Sequence, residues 1–218
     1  MSLDPAAEAK SALTAIADVH SPNAEKLRRI RKQISRRLEC ATALEVLAIA
    51  YELIDANRRW IGYELVNQHS VCLSSLQISD VEALGQNIDC WSAVDAFAAY
   101  IAGPCWVKRQ ISDAAVARWA RRGNRWWRRS ALVATTGLNV RARGGYGDTE
   151  RTLAIARLLR SDRDDMVVKA LSWALRELIV WDAEAVRRFL SVNEEELAPR
   201  VLREVRNKLQ TGLKSGKR

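Results

Sequence analysis

Lys169-Ala-Leu-Ser-Trp173-Ala-Leu-Arg176-Glu177 reads as an amphipathic helix that carries a tryptophan on its outer side. At roughly 100° per residue, Val167, Leu171, Ala174, Leu175 and Leu178 share one face, the stripe of a helix packed against other helices. Lys169, Trp173 and Arg176 fall on the opposite face. An indole between two cations on that side has two readings. Either a neighbouring helix covers it, or the face meets a polyanion that carries flat rings.

The same periodicity runs nearly end to end. Glycine (10) and proline (4) are scarce and β-type alternation is absent. About twelve helices are expected, at 5–18, 22–38, 42–55, 58–69, 78–87, 89–102, 112–122, 124–138, 148–160, 163–180, 182–191 and 194–212. Cap chemistry marks several starts: Ser79-Asp80, Ser112-Asp113 and Asp148-Thr149. The protein is therefore read as all-α. Arg128-Arg129-Ser-Ala-Leu-Val-Ala aligns with Val168-Lys169-Ala-Leu-Ser-Trp-Ala at a shift of 40 residues. That period suits HEAT-like pairs, about six of them, stacked as a solenoid around a concave basic groove. The expected organisation is one domain over 1–212, with divergent repeats at 1–80, site-bearing repeats at 81–212 and a disordered basic tail at 213–218.

Composition narrows the partner. The 218 residues carry a net charge of +9 and a pI near 9.8, which favours nucleic acid first and an anionic membrane second. The cations are dispersed over many helices and no basic amphipathic terminus stands out, so membrane attachment is set aside. Cys40, Cys72, Cys90 and Cys105 form no CxxC pair, and the histidines are His20 and His69 alone. Structural zinc and a Cys/His nucleophile are thus not expected. No apolar run reaches membrane-spanning length, and Met-Ser-Leu-Asp-Pro is not a signal peptide, so a cytoplasmic, nucleoid-associated protein is expected.

Two further constellations stand out. In the 124–138 helix, Trp127, Ala131, Ala134 and Leu138 form an apolar face while Arg125, Arg128 and Arg129 cluster on the other. Together with Lys169 and Arg176 they make two cationic faces able to track a phosphate backbone, although a solvated face is the alternative. In Asp89-Cys90-Trp91-Ser92-Ala93-Val94-Asp95, Trp91 and Asp95 stand at i and i+4, at the edge of a core face made by Val94, Phe97, Ala98 and Ile101. Asp95 either pairs with an arginine of a neighbouring helix or stabilises a developing positive charge. The loop Arg141-Ala-Arg143-Gly-Gly-Tyr146-Gly is an inter-helix turn or a basic, aromatic-tipped contact to DNA.

Together these stretches resemble the AlkD-like DNA alkylation repair proteins, bacterial DNA glycosylases built from HEAT-like repeats. Trp91-Ser-Ala-Val-Asp95 is similar to the family's Trp-x-x-x-Asp pattern, and Trp126-Trp-Arg-Arg129-Ser-Ala131 to its basic repeat helix. Lys169 through Glu177 matches its Lys-Ala-x-x-Trp-x-Leu-Arg-Glu motif position by position. The resemblance runs from about residue 80 to 210. Before that, no tyrosine in the first fifty residues matches a lesion-lining aromatic, leaving Trp60 or Tyr63 as substitutes. It implies excision of cationic N3- and N7-alkylated purines from duplex DNA in base excision repair, without deep base flipping. It places Trp91 and Trp173 against the deoxyribose, Asp95 near the anomeric carbon, and Arg129 and Arg176 on flanking phosphates, with Lys169 as a further phosphate contact.

The expected protein is a monomeric, monofunctional glycosylase acting on alkylated double-stranded DNA. No cofactor, metal, membrane or obligate protein partner is expected. No lysine accompanies Asp95 to form the Schiff base that a lyase needs. The alternative is a non-catalytic HEAT-repeat protein that binds branched or damaged DNA, and behind it a protein-interaction scaffold.

Overall fold

The computed structural model describes residues 4–17 and 24–214; His20 and the tail residues Lys217 and Arg218 lie outside them. Among the described residues every regular element is helical, and no helix is long and apolar enough to cross a membrane. The chain divides into two compact units, residues 1–86 and 87–218.

The first unit holds α1 (Pro5–Ala17), α2 (Ala24–Arg37), α3 (Ala43–Asp55), α4 (Arg59–Gln68), α5 (Ser70–Ser75) and α6 (Ile78–Leu84). α3 packs on α1, α4 and α5 and supplies Val46, Ile49, Ala50 and Leu53, all fully buried. It begins in a capping box: Thr42 Oγ1 accepts the Glu45 amide, and the Glu45 carboxylate accepts the Thr42 amide. Tyr63 is buried and donates its hydroxyl to the Leu84 carbonyl at 2.8 Å. It is core, so its suggested role as a lesion-lining aromatic gives way to a packing role. α5 has no counterpart among the expected helices, because six residues are too few for a readable period. At α6 the cap is Gln77, two residues before the expected Ser79, with the Asp80 carboxylate accepting the Gln77 amide at 2.8 Å.

The second unit holds α7 (Trp91–Phe97), a π-helical turn (Ala98–Ala102), α8 (Gly103–Val107), α9 (Asp113–Ala120), α10 (Arg125–Asn139), a 3₁₀ turn (Arg141–Arg143), α11 (Thr149–Leu158), α12 (Asp165–Val192) and α13 (Pro199–Thr211). α10 is its centre, in contact with α7, the π turn, α8, α9, α11 and α12. Every residue from Arg129 to Asn139 is buried, so this helix has no solvent face beyond its first turn. Phe97, Trp119 and Trp127 meet with ring centroids 5.3–6.2 Å apart and fix α7 and α9 against α10. Gly137 brings α10 close to the backbone of α8: a Cβ there would stand 3.0 Å from the Gly103 Cα. α12 breaks at Asp182 (φ −149°, ψ 75°), whose carboxylate accepts the Ala185 amide and so restarts the helix. The separate helices expected at 163–180 and 182–191 are its two halves.

The loop at 141–147 is folded back on the unit. Arg143 donates to Thr136 Oγ1 at 2.7 Å, and Arg141 lies over the Trp181 ring. The Tyr146 and Gly147 amides both donate to the Leu138 carbonyl. Gly145 is required by contact, since a Cβ would stand 2.6 Å from the Val140 nitrogen and 2.7 Å from Asn139 backbone atoms.

Candidate active site

Four helices of the second unit, α7, α10, α12 and α13, converge on one cleft of about 480 Å³. α7 contributes Trp91 and Asp95, α10 contributes Arg129, and α12 contributes Met166, Lys169, Trp173 and Arg176. α7 starts at Trp91, so the indole sits on the first helical residue, 56 % exposed, while Asp95 lies one turn deeper. Val94 and Phe97 of the same helix, both fully buried, set the direction in which the two side chains emerge.

Asp95 and Arg129 form a bidentate pair. Arg129 Nε donates to one carboxylate oxygen at 2.9 Å and Nη2 to the other at 2.8 Å. Its Nη1 donates to the Met166 carbonyl in the first turn of α12 at 2.6 Å. The Arg129 side chain is 7 % exposed and the Asp95 side chain 21 %. The pair is therefore a fixed dipole that lines the cleft at both ends, its positive end the more deeply buried and its negative end the more exposed. A carboxylate has about four acceptor sites and Arg129 takes two of them, so the part-exposed Asp95 keeps acceptor capacity in the cleft it lines.

Trp173, half-buried, donates its indole N–H to Glu177 at 2.8 Å, a partner one turn along the same helix that fixes the ring orientation. Arg176 donates to Ser172 Oγ at 3.3 Å and lies 4.0 Å from Glu204 of α13. Burial lowers the Arg176 guanidinium from its ordinary value, opposed by the Glu204 and Glu177 charges. Lys169 is paired with Asp165 at 2.6 Å, which also receives Arg200 at 2.8 Å. The hydrogen bond from Lys169 holds the Asp165 carboxyl below its ordinary value.

Arg200, Glu204 and Lys214 complete the lining and were not legible as site residues. Glu204 is their hub: it accepts from Ser172 Oγ at 2.7 Å and stands 3.8 Å from Arg200 and 4.0 Å from Lys214. The i, i+4 spacing of Arg200 and Glu204 is visible in the sequence, but which helix they would face is not. Lys214, expected in a disordered tail, stands here beside that hub.

Of the residues expected to act together, Trp91, Asp95, Arg129, Lys169, Trp173 and Arg176 share the cleft. Arg125 and Arg128 do not line it. Arg125 is half exposed, stacks on Trp126 and pairs with Asp164 at 3.4 Å. Arg128 pairs with Asp162 at 2.7 Å and donates to the Arg122 and Gly123 carbonyls. The expected grouping of Arg129 with these two on an outward face is corrected: α7 and α12 cover it, and all three of its donor nitrogens are engaged.

A part-exposed carboxylate that shares with two indoles a cleft lined by five cations and two carboxylates suits an anionic ligand that develops positive charge at one point. A family model described as DNA alkylation repair enzyme matches residues 6–209. The chain belongs to that family. No curated protein and no solved structure matches it. Because the match begins at residue 6, the N-terminal unit of this DNA alkylation repair enzyme falls within the family pattern, which reaches well before the stretch at about 80–210 that carries the motifs. Membership gives the protein a role in DNA alkylation repair, with DNA as its substrate.

Proposed function

We propose that this repair enzyme is a monofunctional DNA glycosylase that removes N3- and N7-alkylated purines from duplex DNA in base excision repair. The observation that carries the reading is the Asp95–Arg129 dipole, its carboxylate the more exposed end, in a cleft bordered by Trp91 and Trp173. An N7-alkylpurine is already cationic, so it leaves without being protonated. As the C1′–N9 bond breaks, its electron pair moves onto the purine and neutralises the ring. The sugar is left with oxocarbenium character, and water adds at C1′ and releases a proton to give an abasic site. Asp95 stabilises the developing charge electrostatically, and the indole faces add to it. No deep pocket for the base is needed, in keeping with an open cleft.

Arg176, Lys169 and Arg200 supply phosphate contacts around the cleft. Arg129 serves Asp95 in the first place, so its assignment to a phosphate is superseded by a positioning role. The HEAT-like arrangement belongs to the same reading. Arg129 and Lys169, 40 residues apart in the sequence alignment of α10 with α12, line the same cleft, as equivalent positions of stacked repeats would. One protomer carries all the named residues, consistent with action as a monomer on nucleoid DNA.

The test is release of 7-methylguanine from a defined duplex under single-turnover conditions, comparing the wild type with Asp95→Asn. Asparagine keeps one oxygen for Arg129 but removes the charge, so excision is expected to fall about 10²–10³-fold with duplex affinity unchanged or improved. No release by the wild type, alongside tight salt-dependent duplex binding, would replace this reading with the non-catalytic DNA-binding one.

A further inference from the structure

Helix α2 has no part in the cleft, yet it is the most cationic element of the chain: Lys26, Arg28, Arg29, Arg31, Lys32, Arg36 and Arg37 fall within its fourteen residues. These cations divide into two groups. Arg31 is buried against Glu64 at 2.9 Å, Arg37 pairs with Glu8 and Arg29 with Glu25. Arg28, Lys32 and Arg36 are exposed, and none has an ion-pair or hydrogen-bond partner among the described residues. They stand at i, i+4 and i+8, so they form one row along the helix, spanning about 12 Å at 1.5 Å per residue. Ile34 and Leu38 anchor the helix on its other side, 1 % and 2 % exposed, and hold the row outward. Three neighbouring cations repel one another, and no carboxylate among the described residues pairs with any of them. A polyanion with evenly spaced charges would. Along about 12 Å of its axis, one strand of duplex DNA presents three or four phosphates.

We infer that Arg28, Lys32 and Arg36 form a second DNA contact, a phosphate-tracking row in the N-terminal unit that is separate from the excision cleft. The occupant is the backbone of duplex DNA, chosen because the enzyme's family handles DNA and because the row matches a regular line of single charges. The row reads no bases. It adds sequence-independent, salt-sensitive affinity and leaves the chemistry to the cleft. This inference rests on the reading of the chain as an enzyme acting on duplex DNA.

The experiment measures affinity of the full-length protein for an undamaged duplex across a salt series, alongside single-turnover release of 7-methylguanine at saturating protein. Arg28→Ser/Lys32→Ser/Arg36→Ser is expected to lower the slope of log affinity against log salt by about 2–3, since each phosphate contact contributes about 0.9. Between 50 and 200 mM salt that removes on the order of 40-fold of the wild-type loss of affinity. The saturated excision rate should stay within about twofold. Arg28→Lys/Arg36→Lys, which keeps the charges, should keep the slope. Arg187→Ser/Arg188→Ser, which removes cations already paired with Glu184, should change it by less than one. A triple variant with the wild-type slope overturns the inference while leaving the glycosylase reading intact. So does a wild type that binds phosphatidylserine vesicles through this row more tightly than duplex DNA. A wild type that neither binds nor excises overturns both.

Discussion

Arg129→Lys separates the two jobs a buried arginine can do beside a carboxylate. Arginine here makes three hydrogen bonds in three directions: two parallel ones to Asp95 and one to the Met166 carbonyl. A single ammonium on a flexible stem keeps the charge but cannot span both carboxylate oxygens and reach the carbonyl as well. Hydrogen bonds to charged groups contribute about 1.5–3 kcal/mol each. Losing two of them, with part recovered by the retained cation, gives a net destabilisation of about 2–4 kcal/mol. At roughly 3 °C per kcal/mol for a chain of this length, Tm should fall by about 6–12 °C.

The excision rate reports the second effect. Without the fork, Asp95 no longer has a fixed position, and a displacement of about 1 Å at a reacting centre can cost on the order of 10² in rate. Single-turnover release of 7-methylguanine should therefore drop about 10- to 100-fold at temperatures where the variant is folded. Duplex affinity should stay within about threefold, because the guanidinium is buried and its donors do not face the DNA. The opposite pattern, with Tm and rate near wild type and affinity reduced, would mean that Arg129 grips a phosphate, and the positioning argument would be wrong.

Two other perturbations test the frame around the site. Gly145→Ala drives a methyl group to 2.6 Å from the Val140 nitrogen, against backbone that cannot retreat, so a urea midpoint equivalent to a loss of about 1–3 kcal/mol is expected. Gly123→Ala meets nothing within 4 Å and should change stability by less than about 1 kcal/mol; equal effects at the two sites would remove the steric argument. At Asp148, burial raises the carboxyl, but the Arg151 amide and guanidinium and the Tyr146 hydroxyl outweigh it and hold the carboxyl below its ordinary value. Its stabilisation is thus complete above the unfolded value of about 3.9 and is lost as pH falls through the depressed folded one. Urea melts from pH 6 down to pH 2.5 should show Asp148→Asn narrowing the gap to wild type over that acid limb, and parallel curves would exclude this linkage.

How far the sequence carried the argument depended on what each helix packs against. Periodicity alone places Trp173 opposite its core stripe and the Trp91–Asp95 pair at the edge of theirs, because α7 and the first half of α12 each keep one side that is not buried. The same arithmetic failed for Arg129. On a wheel it lies near Arg125 and Arg128, but α10 is enclosed by other helices, and a wheel drawn for one helix cannot register neighbours that arrive from 34 residues earlier and 37 residues later. The sequence allows Asp95 two readings, an ion pair with an arginine or a charge facing the reaction. The structure makes the first compatible with the second: the pair aims the carboxylate rather than consuming it, since its buried end is the arginine. The glycosylase reading accordingly depends less on how many cations line the cleft than on which end of this one pair points outward.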